Sequence, residues 1–270
     1  MKLNKIKLGE ISPYQDHYNK SLIRPIKRDF SHMSGTYSKG KDIWTSFEFS
    51  WLDISGKPTA KIVEFIFPSD SKYLIESKSF KYYLNSFNNT KFRSEKDVSI
   101  ILKKDLDNCS KSEVEVKIYS LCEYSRNFLP DLPGENLDNL SVEIVDYLVN
   151  TDYLNLEMET IVEDSVNSNL LRTNCPVTNQ PDWGSVFIWY IGKKINHEGL
   201  LKYIVSFRQH NGFHEYCIEK IYSDIMLKCR PKKLVVYGRY NRRGGLDINP
   251  LRYNCSHYIK NLDKIRLIRQ

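Results

Sequence analysis

Nowhere does this chain hold the roughly 20 consecutive apolar residues that a membrane-spanning helix requires. Its opening Met-Lys-Leu-Asn-Lys-Ile-Lys-Leu-Gly-Glu carries charges where a secretion signal would place an apolar stretch. A soluble cytoplasmic protein with no membrane partner is therefore expected. Metal signatures are missing as well. The six cysteines, at 109, 122, 175, 217, 229 and 255, form no C-x-x-C pair and no metal-type spacing, and there is no H-E-x-x-H. No metal site is expected, and in a reducing compartment the cysteines should be free thiols. Neither G-x-G-x-x-G behind a strand nor G-x-x-x-x-G-K-[ST] occurs, which argues against a Rossmann domain and a phosphate-cradling P-loop. A dinucleotide would have to bind in another way.

What is present is enough for a substantial core: 270 residues, 41% hydrophobic, either one large domain or two modules of ordinary size. Forty Lys and Arg against 33 Asp and Glu give a net charge of +7, which suits an anionic partner such as RNA or a phosphorylated cofactor. The basic residues are spread along the chain, with only a short cluster at Arg239, Arg242 and Arg243, so direct tRNA binding is not expected.

Residues 1–40, rich in turn formers and basic side chains, read as an irregular arm laid on the body. From Asp42 the pattern turns to period two. Residues 43–52 and 59–68 alternate across a Ser-Gly-Lys-Pro turn and predict a hairpin. Helical spacing follows at 77–87 and 95–107, then a strand at 114–121. The proline- and glycine-bearing loop at 129–136 is the best place for a join. The second half repeats the order, with strands at 157–163 and 184–192, helices at 198–210 and 212–228, and strands at 233–240 and 264–269. Tyr83-Leu-Asn-Ser86-Phe87 even returns as Tyr203-Ile-Val-Ser206-Phe207, 120 residues later. The expected fold is α+β: two tandem modules, 41–135 and 136–270, each an antiparallel sheet backed by a pair of helices.

Four segments could carry chemistry. In 170–185, Cys175 supplies a soft nucleophile, and Asp182, in a Pro-Asp-Trp turn ahead of a strand, supplies a proton donor. A free cysteine is commonly just a small buried hydrophobe. A nearby carboxylate also disfavours a resting thiolate, so the pair suits a thiol that attacks while the acid handles the proton. The second segment, Leu74 to Lys81, lies at the mouth of a helix. Ser77 and Ser79 are good caps whose free amides could meet an anion, and Glu76 could accept from a ring N–H or amino group. Plain capping beside a solvated lysine pair is the alternative. The third, 212–216, sets His214 and Glu215 beside Phe213, fit to stack on a purine-like ring, bind its edge and move protons. A loop histidine with a helix-capping glutamate would look the same. The fourth, 239–250, puts Arg242 and Arg243 before Gly244 and Gly245, fork-like donors beside backbone that a phosphate can approach. Its plain reading is a basic hairpin turn.

Taken together, these segments resemble the NADPH-dependent 7-cyano-7-deazaguanine reductases of queuosine biosynthesis, the nitrile reductases known as QueF, in their long two-module form. The resemblance rests on Glu-Ser-Lys-Ser-Phe-Lys-x-Tyr-Leu-Asn-Ser-Phe at 76–87 and on Asn174-Cys175 with Gln180-Pro181-Asp182-Trp183-Gly184. It also rests on Ser-Phe-Arg-x-His-x-x-Phe-His-Glu at 206–215 and Arg-Arg-Gly-Gly-Leu-Asp-Ile-Asn-Pro at 242–250. Gly40-Lys-Asp-Ile-Trp44 and the terminal Arg-Leu-Ile-Arg-Gln extend it over most of the chain, residues 105–155 excepted. Tyr216 stands where a small polar residue is expected.

The resemblance implies two tunnelling-fold (T-fold) modules and a homodimer. It implies reduction of the nitrile of 7-cyano-7-deazaguanine to the aminomethyl base by NADPH, through a covalent cysteine thioimide. Cys175, Asp182 and His214 would be catalytic. Ile75, Glu76, Ser77, Phe213, His214 and Glu215 would surround the substrate, and Ser77, Lys78, Arg243 and Gly244 would hold NADPH. Two rival readings are a zinc-dependent GTP cyclohydrolase-like enzyme of the same fold and a non-catalytic tRNA-binding protein.

Overall fold

The computed structural model describes residues 15–28, 39–125, 131–145, 147–255, 262, 265–267 and 270. Strands β1 (Pro25–Lys27), β2 (Lys39–Leu52), β3 (Pro58–Pro68), β4 (Tyr73–Ile75) and β5 (Glu115–Tyr119) accompany helices α1 (Ser77–Asn85), α2 (Glu95–Ser110) and the short α3 (Leu121–Ser125). The second half supplies β6 (Glu135–Asn136), β7 (Leu156–Ser168), β8 (Arg172–Asn174), β9 (Pro181–Ile195), β10 (Lys233–Tyr240) and β11 (Leu246–Tyr253). Its helices are α4 (His197–Ser206) and α5 (His214–Cys229).

The fold is α+β, but the two halves share one sheet. Among the described residues its order is β5-β3-β2-β11-β10-β9-β7-β6, with β8 pairing on β9. All pairings are antiparallel except β6 on β7. The seam is the β2–β11 ladder, which runs from Leu246↔Ser46 to Tyr253↔Lys39. Gly40 sits in it opposite Arg252, and a Cβ there would stand 2.2 Å from the Leu251 carbonyl oxygen. Only glycine permits that approach.

Each half buries one sheet face under its own helix pair. Trp44, Phe65, Phe80, Tyr83 and Leu102 belong to the first core; Ile188, Tyr190, Leu200, Ile218 and Val236 belong to the second. Phe187, Trp189, Val235 and Tyr237 point the other way, into a third cluster with Leu132, Leu262, Ile265 and Leu267. Burial on both faces explains why 186–191 reads as a continuous apolar run.

The sequence echo has a structural counterpart. Tyr83 donates to Asp105 at 2.8 Å and Tyr203 to Asp224 at 2.6 Å. The Ser86 and Ser206 hydroxyls donate to the carbonyls of Tyr83 and Tyr203, and accept from the amides of Asn19 and Asn150. Both second helices end on a left-handed residue, Lys111 and Arg230. Matching side chains, bonds and caps in matching places mark a duplicated unit.

Several expectations need correction. The segment 246–253 is a central strand and no mere basic turn. The expected strand at 264–269 lies partly outside the described residues, and 265–267 form none. The helix expected at 198–210 ends at Ser206, followed by a 3-10 turn at Phe207–Gln209. The arm is not wholly irregular, since β1 pairs with β4 and the buried Arg28 reaches Asp42 at 2.7 Å.

Candidate active site

The segment carrying Cys175 is fastened on every side. β8 pairs with the start of β9, Thr173 opposite Asp182, so Asp182 belongs to the strand and not to a turn ahead of it. The Asn174 amide donates to the His210 carbonyl, and the Gly212 amide donates back to Asn174, tying the loop to the segment before α5. Within the loop the Cys175 amide donates to Gln180 O, and the amide of left-handed Asn179 to Cys175 O, both at 2.9 Å. Arg243, from the β10–β11 turn, clamps it from outside. Its Nε meets Asp182 Oδ1 at 2.8 Å, Nη1 donates to Gln180 Oε1 at 2.8 Å, and Nη2 donates to the Pro181 carbonyl. A half-buried thiol is thereby held on a short closed loop whose far end carries a buried carboxylate.

His214 opens α5, and its Nε2 lies 3.3 Å from the other Asp182 oxygen. The Nε2–H tautomer makes that contact and leaves Nδ1, buried and without a protein partner, as an acceptor. The imidazole lies flat on the Tyr240 ring, centroids 3.8 Å apart and planes within 2°. Phe213, the residue before α5, is half-buried and packs at a tilt on Tyr216. The tyrosine noted as a departure therefore props the aromatic expected over the substrate.

The first half contributes the mouth of α1. Neither serine caps it: Glu76 is the N-cap, its carboxylate accepting from the amides of Lys78 at 2.9 Å and Ser79 at 2.7 Å. Those amides are consequently not free for an anion, and the Glu76 lone pairs left over are what could meet a ligand. Four residues beyond Ser77, on the same helix face, Lys81 turns inward beside Gly244, whose absent Cβ would lie 3.4 Å from its Cδ. Burial holds the Lys81 ammonium below its usual range, and the Arg243 charge pushes the same way. Glu76, Asp182 and Cys175 act in the opposite sense. Lys81 thus joins the two halves electrostatically. Reading it as half of a solvated pair missed this, although its spacing from Ser77 was the available signal.

Glu215 is 3% exposed and borders a concavity that Asp42, Trp44, Tyr73, Leu74 and Ile75 also line. Burial raises its carboxyl above the usual range, and the nearby Asp42 charge adds to the rise. The Trp44 indole N–H, on the same wall, is buried with no partner in the protein. In the sequence it stood only as the end of the Gly40–Trp44 likeness, with no role attached. The structure thus gathers Cys175, Asp182, His214 and Arg243 with Lys81 and Glu76, while Ile75 and Glu215 meet at the concavity. Lys78 is exposed at the helix mouth. Arg243, expected on phosphates, instead spends three of its five N–H groups on the reactive loop.

Residues 14–118 match the family model described as "Nitrile reductase, 7-cyano-7-deazaguanine-reductase N-term", and residues 181–258 match that of a "QueF-like protein". A relative from Hydrogenovibrio crunogenus, named NADPH-dependent 7-cyano-7-deazaguanine reductase, is 48% identical over 270 residues, covering 97% of this chain and 96% of its own.

Proposed function

The chain belongs to the 7-cyano-7-deazaguanine nitrile reductase family, and on that premise we propose that it reduces this nitrile to 7-aminomethyl-7-deazaguanine with NADPH. The observation that carries the reading is the meeting of a clamped Cys175 loop, the Asp182–His214 pair and the Glu76–Lys81 helix mouth at one place.

In the proposed reaction Cys175 Sγ bonds to the nitrile carbon as one π bond of the nitrile opens. Asp182 takes the thiol proton and passes it to the nitrile nitrogen, giving a thioimide. NADPH, when bound, supplies the two hydrides that this four-electron reduction needs. Between the two reductions the carbon–sulfur bond breaks, and the proton leaving nitrogen returns to sulfur through Asp182. His214, with Nδ1 open, relays the two further protons that end on carbon-bound nitrogen. Splitting a hard reduction around a covalent adduct replaces one high barrier with lower ones and keeps the imine in the pocket. Glu215 and the remaining lone pairs of Glu76 would read the amino-pyrimidinone edge, Ile75 and Ser77 would border it, and Phe213 would cover the ring.

The donor set suits an anionic dinucleotide. Lys81 lies beside a turn in which Gly244 and Gly245 take φ of +58° and +76° and present bare backbone, and Lys78 is exposed at the mouth of the same helix. Two Arg243 N–H groups remain beside it, and Ser77 stands at the helix mouth. These residues would hold the NADPH phosphates. The proposal also keeps an arm at 1–40, modules at 41–135 and 136–270, a homodimer and a cytoplasmic setting. No helix among the described residues is long and apolar enough to cross a membrane.

Mass spectrometry of the protein mixed with the nitrile alone tests the chemistry. A stable adduct on Cys175, absent in Cys175→Ala together with NADPH oxidation, is expected. An active Cys175→Ala enzyme would refute the covalent route.

A further inference from the structure

Tyr240 meets the site through His214, whose imidazole stacks on its ring. It ends β10 opposite Gly184 of β9. A Cβ on Gly184 would stand 3.1 Å from Tyr240 Cδ1; one on Gly238 would meet Ile218 Cδ1 at 2.5 Å and Tyr240 Cε2 at 3.3 Å. Gly184 therefore leaves a shelf on the sheet that the tyrosine ring occupies, and Gly238, filled mainly by Ile218, borders its other edge. The ring is fully buried. Its backbone is fixed on both sides, the amide donating to Asn249 Oδ1 at 3.1 Å and the carbonyl accepting from Gln270 Nε2 at 2.9 Å. The hydroxyl lies near Thr173 and Cys217 yet forms no hydrogen bond of normal geometry with either. It is not the polar end of Tyr240 that the site uses. It is the face.

We propose that Tyr240 is a positioning residue: its ring, seated over Gly184, fixes the plane of the His214 imidazole so that Nε2 meets Asp182 and Nδ1 faces the reacting nitrogen. The inference rests on the proposed role of His214 in proton transfer. It supplies what that role lacks, because the one charged approach to a ring nitrogen, Asp182 at 3.3 Å from Nε2, does not by itself fix the plane of the ring. Parallel contact with a wide, immobile ring does fix it. The charged groups facing the imidazole are Asp182 from β9, with Arg243 behind it, and Glu215 on its own helix. The substitutions below leave them in place.

The test compares full-length wild type with Tyr240→Phe, Tyr240→Leu and Gly184→Ala. Two readouts are used: nitrogen-15 NMR of His214, which reports the ring tautomer, and steady-state kinetics with the nitrile and NADPH. Tyr240→Phe keeps the face and deletes only an unpaired hydroxyl, so it should keep the tautomer, and kcat within about threefold of wild type. Tyr240→Leu should mix the tautomers and lower kcat roughly 10- to 100-fold, the scale of a misoriented catalytic group. KM for NADPH should stay unchanged. If the leucine variant does not fold, Gly184→Ala decides, since its methyl group tilts the ring while leaving the tyrosine in place; it should give the same changes in milder form. A leucine or alanine variant with wild-type tautomer and kcat overturns the proposal. So does a phenylalanine variant as impaired as leucine. The NMR readout needs no turnover, so a wild type that fails to reduce the nitrile refutes the functional reading while the tyrosine–histidine coupling is still judged on its own.

Discussion

Asp42 offers the sharpest test of what holds the site's two halves together. Its carboxylate is sealed from solvent between two guanidiniums: Arg28 Nη2 at 2.7 Å, from the arm, and Arg252 Nη1 at 2.8 Å, from β11. Burial alone would push this carboxyl up, but the charges of Arg252 and then Arg28 outweigh it, so it ionises below the ordinary carboxylate range. A folded-state value below the unfolded one means stability that is fully present above the unfolded value of about 3.9 and is lost as pH falls through the folded one. Asp42→Ala leaves Arg28 buried without its carboxylate, whereas Arg252 retains Glu219. Breaking a buried pair from one side costs about 3–5 kcal/mol, and the surviving Glu219 contact sets the expectation at the lower end, about 3 kcal/mol. Against a typical total of about 5–15 kcal/mol, that is a large fraction. Urea unfolding followed by tryptophan fluorescence at pH 7, then towards pH 3, measures it. The gap between wild type and variant should narrow as the medium becomes acidic. A variant within about 0.5 kcal/mol of wild type at pH 7, or a gap indifferent to pH, would refute the reasoning.

Three more predictions concern the site and the seam. Asp182→Asn keeps the shape of the side chain but cannot carry the proton, and should lower kcat by about 10²-fold or more, read from NADPH oxidation; an unchanged rate would leave Asp182 a purely structural role. Lys81→Met removes a cation beside the Gly244 turn and should raise KM for NADPH, read from initial rates of NADPH oxidation; an unchanged KM would remove Lys81 from the site. Gly40→Ala forces a methyl group against the Leu251 carbonyl and should cost about 1–3 kcal/mol, visible as a lower thermal midpoint, whereas an unmoved midpoint would show that the seam yields easily.

The sequence announced most of the periodic elements, because the first hairpin and both helix pairs combine regular apolar spacing with good breakers at their ends. It hid β11, since Gly244-Gly245 before it and Pro250 within it read as breakers, and the pairing with β2 that overrides them comes from 200 residues away in the chain. It hid the single sheet for the same reason: a ladder between distant strands leaves no local mark. Cys175, Asp182, His214 and Glu215 were legible because their motifs are long and unusual. Lys81 was visible but misjudged, since solvation is the ordinary state of a lysine on a helix. Trp44 was met only as the end of the Gly40–Trp44 likeness, with no role for its donor, and the Tyr240 platform had no signal, because each becomes conspicuous only through what lies across the sheet or across the concavity.

The duplicated unit has diverged in a telling way. In the first copy the strands β2 and β3 are joined by a tight turn around Asp53, while the corresponding connection in the second copy, between β7 and β9, is the longer loop that holds Cys175. Conversely, Ser77 opens the first copy's helix beside the lysines, whereas His197, at the matching place in the second, is tied down by Asp164 and Lys194. On the proposed reading the two copies bring different equipment to one site, the first a helix mouth and the second a clamped thiol, and the ladder between β2 and β11 holds the two in register.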